Sequence, residues 1–230
     1  MYRWILLSLA LLAPLPASAL STFEMKGTLT EVEFSGGGSP PEFDPTGVAV
    51  GTPFTVLISY DLNAPLIRQI SDPIIDEFSY PMEEIFIFLG NNAIVFKDSE
   101  DSLILRVIDV AEGLPIPDQY FFDAFEQENS DGTESTRRNF GIDLITNDNE
   151  FLESNRPPEM LDYSDVSGTF FELSIELRRN RSTIFGVEVF GEIESIADVS
   201  ERDAVVPLPP SLLLLASSLI FLRARFGRAG

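Results

Sequence analysis

From Thr52 to Tyr60 the chain alternates without a slip, Phe54, Val56, Ile58 and Tyr60 on one parity and Thr55, Leu57 and Ser59 on the other. A period of two sends successive side chains to opposite sides of an extended backbone, so this segment reads as a half-buried strand. The same signal recurs along the chain and sets the fold class. Ser21 to Phe34 alternates twice, Phe23, Met25 and Leu29 on one parity and Val32 and Phe34 on the other; a bulge near Thr30 reconciles the two. Glu84–Leu89, Ala93–Lys97 and Leu103–Asp109 are apolar, β-branched runs separated by Gly90-Asn91-Asn92 and by Asp98 to Asp101, an order that predicts a meander. Tyr120–Phe125, Phe140–Ile145, Thr169–Leu177 and Ile184–Ile196 follow as further strands. Gly186 and Gly191 in the last of these point to bulges or close backbone approach. Ser35 to Gly47, rich in Gly, Pro and Ser, reads as a loop.

No body segment shows an amphipathic helix of useful length, and no repeat of solenoid or propeller period is visible. The expected fold is therefore all-β: an antiparallel β-sandwich or jelly-roll-like single domain. The 19 phenylalanines suit it, because large rings from two facing layers fill a core ~10 Å thick.

The two ends follow a different pattern. Arg3, an apolar stretch from Trp4 to Leu12 interrupted only by Ser8, and then Ala17-Ser18-Ala19 have the order of a cleaved secretory signal, with Ala17 and Ala19 as the small residues read by signal peptidase. Cleavage is expected after Ala19. At the other end stand Val206-Pro207-Leu208-Pro209, an apolar run from Ser211 to Leu222, and Arg223, Arg225 and Arg228. As a helix rising ~1.5 Å per residue, Val206–Leu222 falls somewhat short of a ~30 Å hydrocarbon core, and its prolines stand at the start, where missing backbone donors are tolerated. The arginines would act as a stop-transfer cluster on the cytoplasmic side, leaving the body outside.

A signal peptide paired with a C-terminal proline motif, one hydrophobic segment and an arginine cluster resembles the PEP-CTERM class of bacterial sorting signals, the substrates of exosortases. Val206-Pro207-Leu208-Pro209 is similar to the Val-Pro-Leu-Pro variant of a motif whose commonest form is Pro-Glu-Pro. The resemblance implies transient membrane insertion through the C-terminal helix and processing near the proline motif by a membrane-embedded, cysteine-dependent, transpeptidase-like enzyme. It also implies a bacterium with an outer membrane and exopolysaccharide production. The body more weakly resembles a recurrent domain found ahead of such tails, in Gly27-Thr28-Leu29-Thr30, Gly51-Thr52-Pro53-Phe54-Thr55, Tyr60-Asp61, Ala64-Pro65 and Gly191-Glu192-Ile193-Glu194-Ser195-Ile196. The expected organisation is a signal peptide over 1–19, an exported β domain over 20–203 and a sorting signal over 204–230.

Charge and composition narrow the chemistry. The chain carries −22, every acidic residue lies in the body, and setting aside Arg3, Arg223, Arg225 and Arg228 leaves the body at −26. Such a field argues against nucleic acid and anionic membrane surfaces, and suits solubility, divalent cations or basic and neutral partners. With no cysteine there is no disulfide framework or thiol chemistry, and with no histidine there is no imidazole base and little prospect of a zinc site. Paired carboxylates for glycoside hydrolysis exist among Asp76, Glu77, Glu83 and Glu84, or as Glu172 and Glu176 on one strand parity, but nothing in the sequence selects a pair. No catalytic residue is assigned, and the chain is read as a non-enzyme. Calcium is the one cofactor left open, at the oxygen-rich stretches Asp98–Asp101 and Asn147–Glu150; neither follows an EF-hand spacing and both read as solvated turns. Asn180-Arg181-Ser182 has the form of a glycosylation acceptor in a turn.

The leading expectation is an exported surface or extracellular-matrix protein, passing through the inner membrane to the cell surface, with a structural or binding role in an exopolysaccharide matrix. Its partners are signal peptidase, an exosortase and exopolysaccharide. Two alternatives stand beside it. One is a carbohydrate-binding or carbohydrate-processing module using exposed aromatics such as Tyr80, Tyr120 or Tyr163; the other is a plain single-pass membrane-anchored β domain.

Overall fold

A computed structural model describes residues 20–37, 43–72, 75–97, 103–110, 117–129, 134–147, 161–180 and 182–200. Eleven strands account for most of them: β1 (Leu20–Gly36), β2 (Pro53–Asp61), β3 (Arg68–Ser71), β4 (Ile75–Pro81), β5 (Glu84–Leu89), β6 (Asn92–Lys97), β7 (Leu103–Val110), β8 (Gln119–Asn129), β9 (Glu134–Thr146), β10 (Val166–Arg179) and β11 (Ser182–Asp198). A single 3-10 turn, Tyr163–Asp165, precedes β10. The strands form one sheet in the order β3-β4-β7-β8-β9-β10-β11-β1-β2-β5-β6. Every neighbouring pair is antiparallel.

The expectation of an all-β antiparallel fold is met, but one continuous curled sheet stands in place of two separately bonded layers. The reason lies in β1 and β11. At 17 residues each they extend about 55 Å, far longer than an ordinary strand, and so run through both halves of the sheet. The first half of β1 pairs with β2 while its whole length pairs with β11, whose N-terminal half pairs in turn with β10. The ladder therefore never breaks. Register shifts at Lys26/Gly27 and Leu29/Glu31 kink it, the second at the bulge expected near Thr30.

Connection length fixes how the two arms face each other. β4 belongs to the arm β10-β9-β8-β7-β4-β3 and β5 to the arm β2-β5-β6, yet only Met82 and Glu83 join them. Two residues reach little further than the ~10 Å between packed layers, so the arms must lie face to face. Met82 donates its N–H to Leu103 O at 3.2 Å on one arm and Glu83 to Ser59 O at 2.9 Å on the other. The core fills the gap: Phe54 of β2 stacks on Phe171 of β10 with ring centres 4.1 Å apart, Phe96 of β6 lies 6.0 Å from Phe140 of β9, and Phe140 meets Phe171 edge-on. Burying each such ring contributes about 1.5–3 kcal/mol, and each ring pair about 0.5–1.5 kcal/mol more.

The expected meander ends at β6. β5 and β6 form a hairpin through Gly90-Asn91, but β7 pairs with β4 and β8 on the opposite arm, because the apolar parities of both β6 and β7 are satisfied by packing across the core. Two strands carry no signal in the sequence reading: β3, all four of whose residues are exposed, and β4, where Asp76, Glu77 and Pro81 mask the inward Phe78 and Tyr80. The loop before β2 plugs the β5–β6 end with buried Phe43 and Val48, and Asn92 holds it by accepting from Asp44 N at 2.6 Å and donating to Asp44 O at 2.8 Å.

Candidate functional site: a depression on the outer face of β7 to β11

Alternation that buries Tyr120, Phe122 and Ala124 on β8 and Phe140, Ile142 and Leu144 on β9 turns Phe121, Asp123, Phe125, Asn139, Gly141 and Asp143 outward. Cross-strand register then sets the outer side chains in rows. Arg106, Phe121, Asp143 and Phe170 form one; Ile104, Asp123, Gly141, Glu172 and Phe190 the next; Phe125, Asn139, Ser174 and Glu188 the third. Gly141 is at the centre of this lattice, and its missing side chain leaves a hollow of about 340 Å³. Asp123 and Glu172 stand on opposite sides of it, with Asn139, Ile104 and Phe125 around the rim. Strand spacing sets the Asp123 and Glu172 backbones about 10 Å apart, two inter-strand steps. Following the same face along β10, a second hollow of about 180 Å³ opens over Gly186, lined by Glu33, Ser35, Ser174, Glu176 and Glu188.

The carboxylates around Gly141 are unequal. Arg106 grips Asp123 through Nε at 2.8 Å and a terminal nitrogen at 2.6 Å, and lies 4.8 Å from the centre of the Phe121 ring. Asp143 and Glu172 have no ion-pair partner among the described residues. Both carboxyls are held above their ordinary range. Partial burial is the larger cause in each, followed by the neighbouring Asp123 for Asp143 and by Glu188 and then Asp123 for Glu172. A carboxylate crowded by others and only part-solvated is a ready acceptor for a hydroxyl or ammonium donor.

The carboxylates singled out by sequence do not converge on one site. Asp76 and Glu77 lie on β4 opposite Asp109 and Ile108, Glu84 pairs with Lys97 at 3.1 Å, and Glu83 is exposed between β4 and β5. Glu172 and Glu176 do share the outer face of β10, but they line separate hollows. The aromatic expectation is corrected at two positions: Tyr80 and Tyr120 are core residues, 3% and 2% exposed, because each follows the parity of its inward neighbours. Tyr163 is exposed. The rings on the outer face are phenylalanines, which sequence reading assigned to the core as a class; parity against Tyr120, Phe122 and Phe171 is the signal that separates Phe121, Phe125 and Phe170 from them.

Asn180 adopts a left-handed φ of 50° in the β10–β11 turn, where a turn between strands is expected; Arg181 lies outside the described residues. Asp98 to Asp101 and Asp148 to Glu150 also lie outside them, while Asn147 donates to Ser164 O at 2.6 Å. Among the described residues no three acidic side chains stand close enough to hold a metal ion, and no helix is long and apolar enough to cross a membrane. Ala17, Ala19, Val206, Pro207, Leu208, Pro209, Arg223, Arg225 and Arg228 all lie outside the described residues. No family model, curated protein or solved structure matches this chain.

Proposed function

We propose that this chain is an exported bacterial surface or matrix protein, delivered by its N-terminal signal and sorted by an exosortase acting near Val206–Pro209, and that its β body serves as a binding element for matrix polysaccharide. The sequence basis is the pairing of a signal-like N-terminus with the proline, apolar and arginine order of residues 204–230. The structural observation that supports it is the meeting of both ends of the body. β1 begins at Leu20, the residue after the expected cut, and lies beside β11 with Phe23 opposite Asp198. Val199 donates to Thr22 O at 2.9 Å and Thr22 N–H to Ser200 Oγ at 2.8 Å, so chain entry and exit share one end of the sheet. A body released from a signal at one terminus and held by a segment at the other is served by that arrangement.

The binding role is favoured by the hollow over Gly141, where carboxylates, an amide and apolar rims meet on an exposed sheet face. The test of delivery is the intact mass of the protein in surface and culture fractions of its host, beside a strain lacking the exosortase. Loss of the segment after the proline motif only when the enzyme is present is the expected result. A tail intact in both strains overturns the sorting reading and leaves a membrane-anchored β domain.

A further inference from the structure

We infer that the outer face of β8, β9 and β10 binds a linear polysaccharide carrying free amino groups, with a glucosamine-type ring seated over Gly141 and its ammonium directed to Glu172. This deepens the proposed function and rests on its reading of the chain as a matrix-binding protein. The hollow, about 340 Å³, is at the small end of ligand sites, roughly 300–1,000 Å³. Its rim divides as a sugar ring does. Ile104 and the edge of Phe125, whose ring carries the Arg137 guanidinium 5.1 Å from its centre, offer apolar surface for the C–H face, while Asn139 both donates and accepts and the carboxylates accept from hydroxyls.

Charge selects among sugars. Asp123 is already neutralised by Arg106, whereas Glu172 faces Glu188 and Asp123 with no cation of its own; Asp143, one row away, is crowded by Asp123 but also feels Arg106. An acidic sugar would add to that repulsion, and a neutral one would leave it standing. An ammonium group relieves it. The acids are spread over four strands, β8 to β11, and not gathered about one point, so they match donors distributed along a polymer and not a single metal ion. The second hollow continues the same face four residues along β10, about 13 Å away, with Glu188 and Glu33 on its rim and Glu176 already paired with Arg178 at 3.5 Å, which suits a chain of sugars over a single ring.

Gly141 provides the decisive variant. A Cβ there meets only Asp123 Oδ1, at 3.9 Å, so Gly141→Leu can grow into the hollow without a clash at its first carbon and without changing the charge. The full chain in detergent is titrated calorimetrically with a glucosamine hexamer, its fully N-acetylated counterpart and a galacturonate hexamer. The expected order is saturable binding of the glucosamine hexamer, at least tenfold weaker binding of the acetylated one and none of galacturonate. Gly141→Leu and Glu172→Gln each weaken the first at least tenfold while unfolding at no lower temperature than wild type, and Glu83→Gln, removing an exposed acid elsewhere, does not weaken it. Equal losses in all three variants, or full binding by Gly141→Leu, reduce the effect to diffuse attraction by an acidic protein and overturn the site. Equal binding of the acetylated hexamer overturns the role of the ammonium. None of these readouts depends on tail processing, so a failed ligand and a failed sorting signal are told apart.

Discussion

Replacing Gly27 with alanine tests the corner on which the curled sheet turns. A Cβ at Gly27 would lie 1.9 Å from the backbone oxygen of Glu192 on β11 and 2.7 Å from Cζ of Phe54. The first contact involves main chain, so relief requires β1 and β11 to part by roughly 1 Å, an overpacking that costs about 1–3 kcal/mol. The second pushes Phe54 off Phe171, forfeiting up to about 0.5–1.5 kcal/mol of ring stacking. Against these, the less flexible unfolded chain returns about 0.4–1 kcal/mol. The net is a destabilisation of about 2 kcal/mol, which for a body of this size lowers Tm by about 4–8 °C. Gly141→Ala is the matched control: with only Asp123 Oδ1 at 3.9 Å it keeps the gain and meets no clash, so its Tm rises slightly. Thermal unfolding followed by near-ultraviolet circular dichroism reads both. If Gly27→Ala unfolds at or above the wild-type temperature, the close approach of β1 and β11 is not what shapes this corner.

Asp143→Asn reports the crowding of the outer face. Burial and then Asp123 hold the folded-state pKa of Asp143 above the ordinary 3.8, so the folded protein binds more protons than the unfolded chain in the window above that value, and stability falls as pH rises through it. The asparagine variant is expected to be more stable than wild type at pH 7 and equal to it near pH 3; a less stable variant at pH 7 would mean that attraction to Arg106 outweighs both causes. Asp118, fully buried, accepts Val110 N–H at 2.9 Å, and its removal in Asp118→Ala strands that donor at a cost of about 1–3 kcal/mol, while Asp118→Asn, which keeps an acceptor oxygen, recovers most of the loss in the same melt.

Strands whose inward parity is uninterrupted are legible in the sequence. Phe54 to Tyr60 and Phe140 to Leu144 read cleanly, and even the bulge near Thr30 follows from the clash of two parities in one run. β4 is hidden because parity there is carried by only two buried rings between charged residues and a proline, and β3 because none of its residues is buried. Pairing partners are less legible still. The sequence places β7 after β6, but nothing local says that the chain crosses to the other arm, since that choice is made by which apolar faces meet across the core. The site shows the same division: Glu172 and Glu176 share a parity that is visible in the sequence, whereas their separation into two hollows depends on Gly141 and Gly186 on neighbouring strands, which only register reveals.

The first and last strands of the body are neighbours, and that has a consequence in time. Thr22 and Ser200 are hydrogen-bonded across 178 residues of chain, and closing so long a loop costs roughly 5 kcal/mol of chain entropy before the contact returns anything. β10 and β1 have no ladder partner between them until β11 arrives, so the hydrogen-bonded ladder between the two arms is completed only by the last strand made. Closure of the sheet is therefore a late event, set by its most distant contacts.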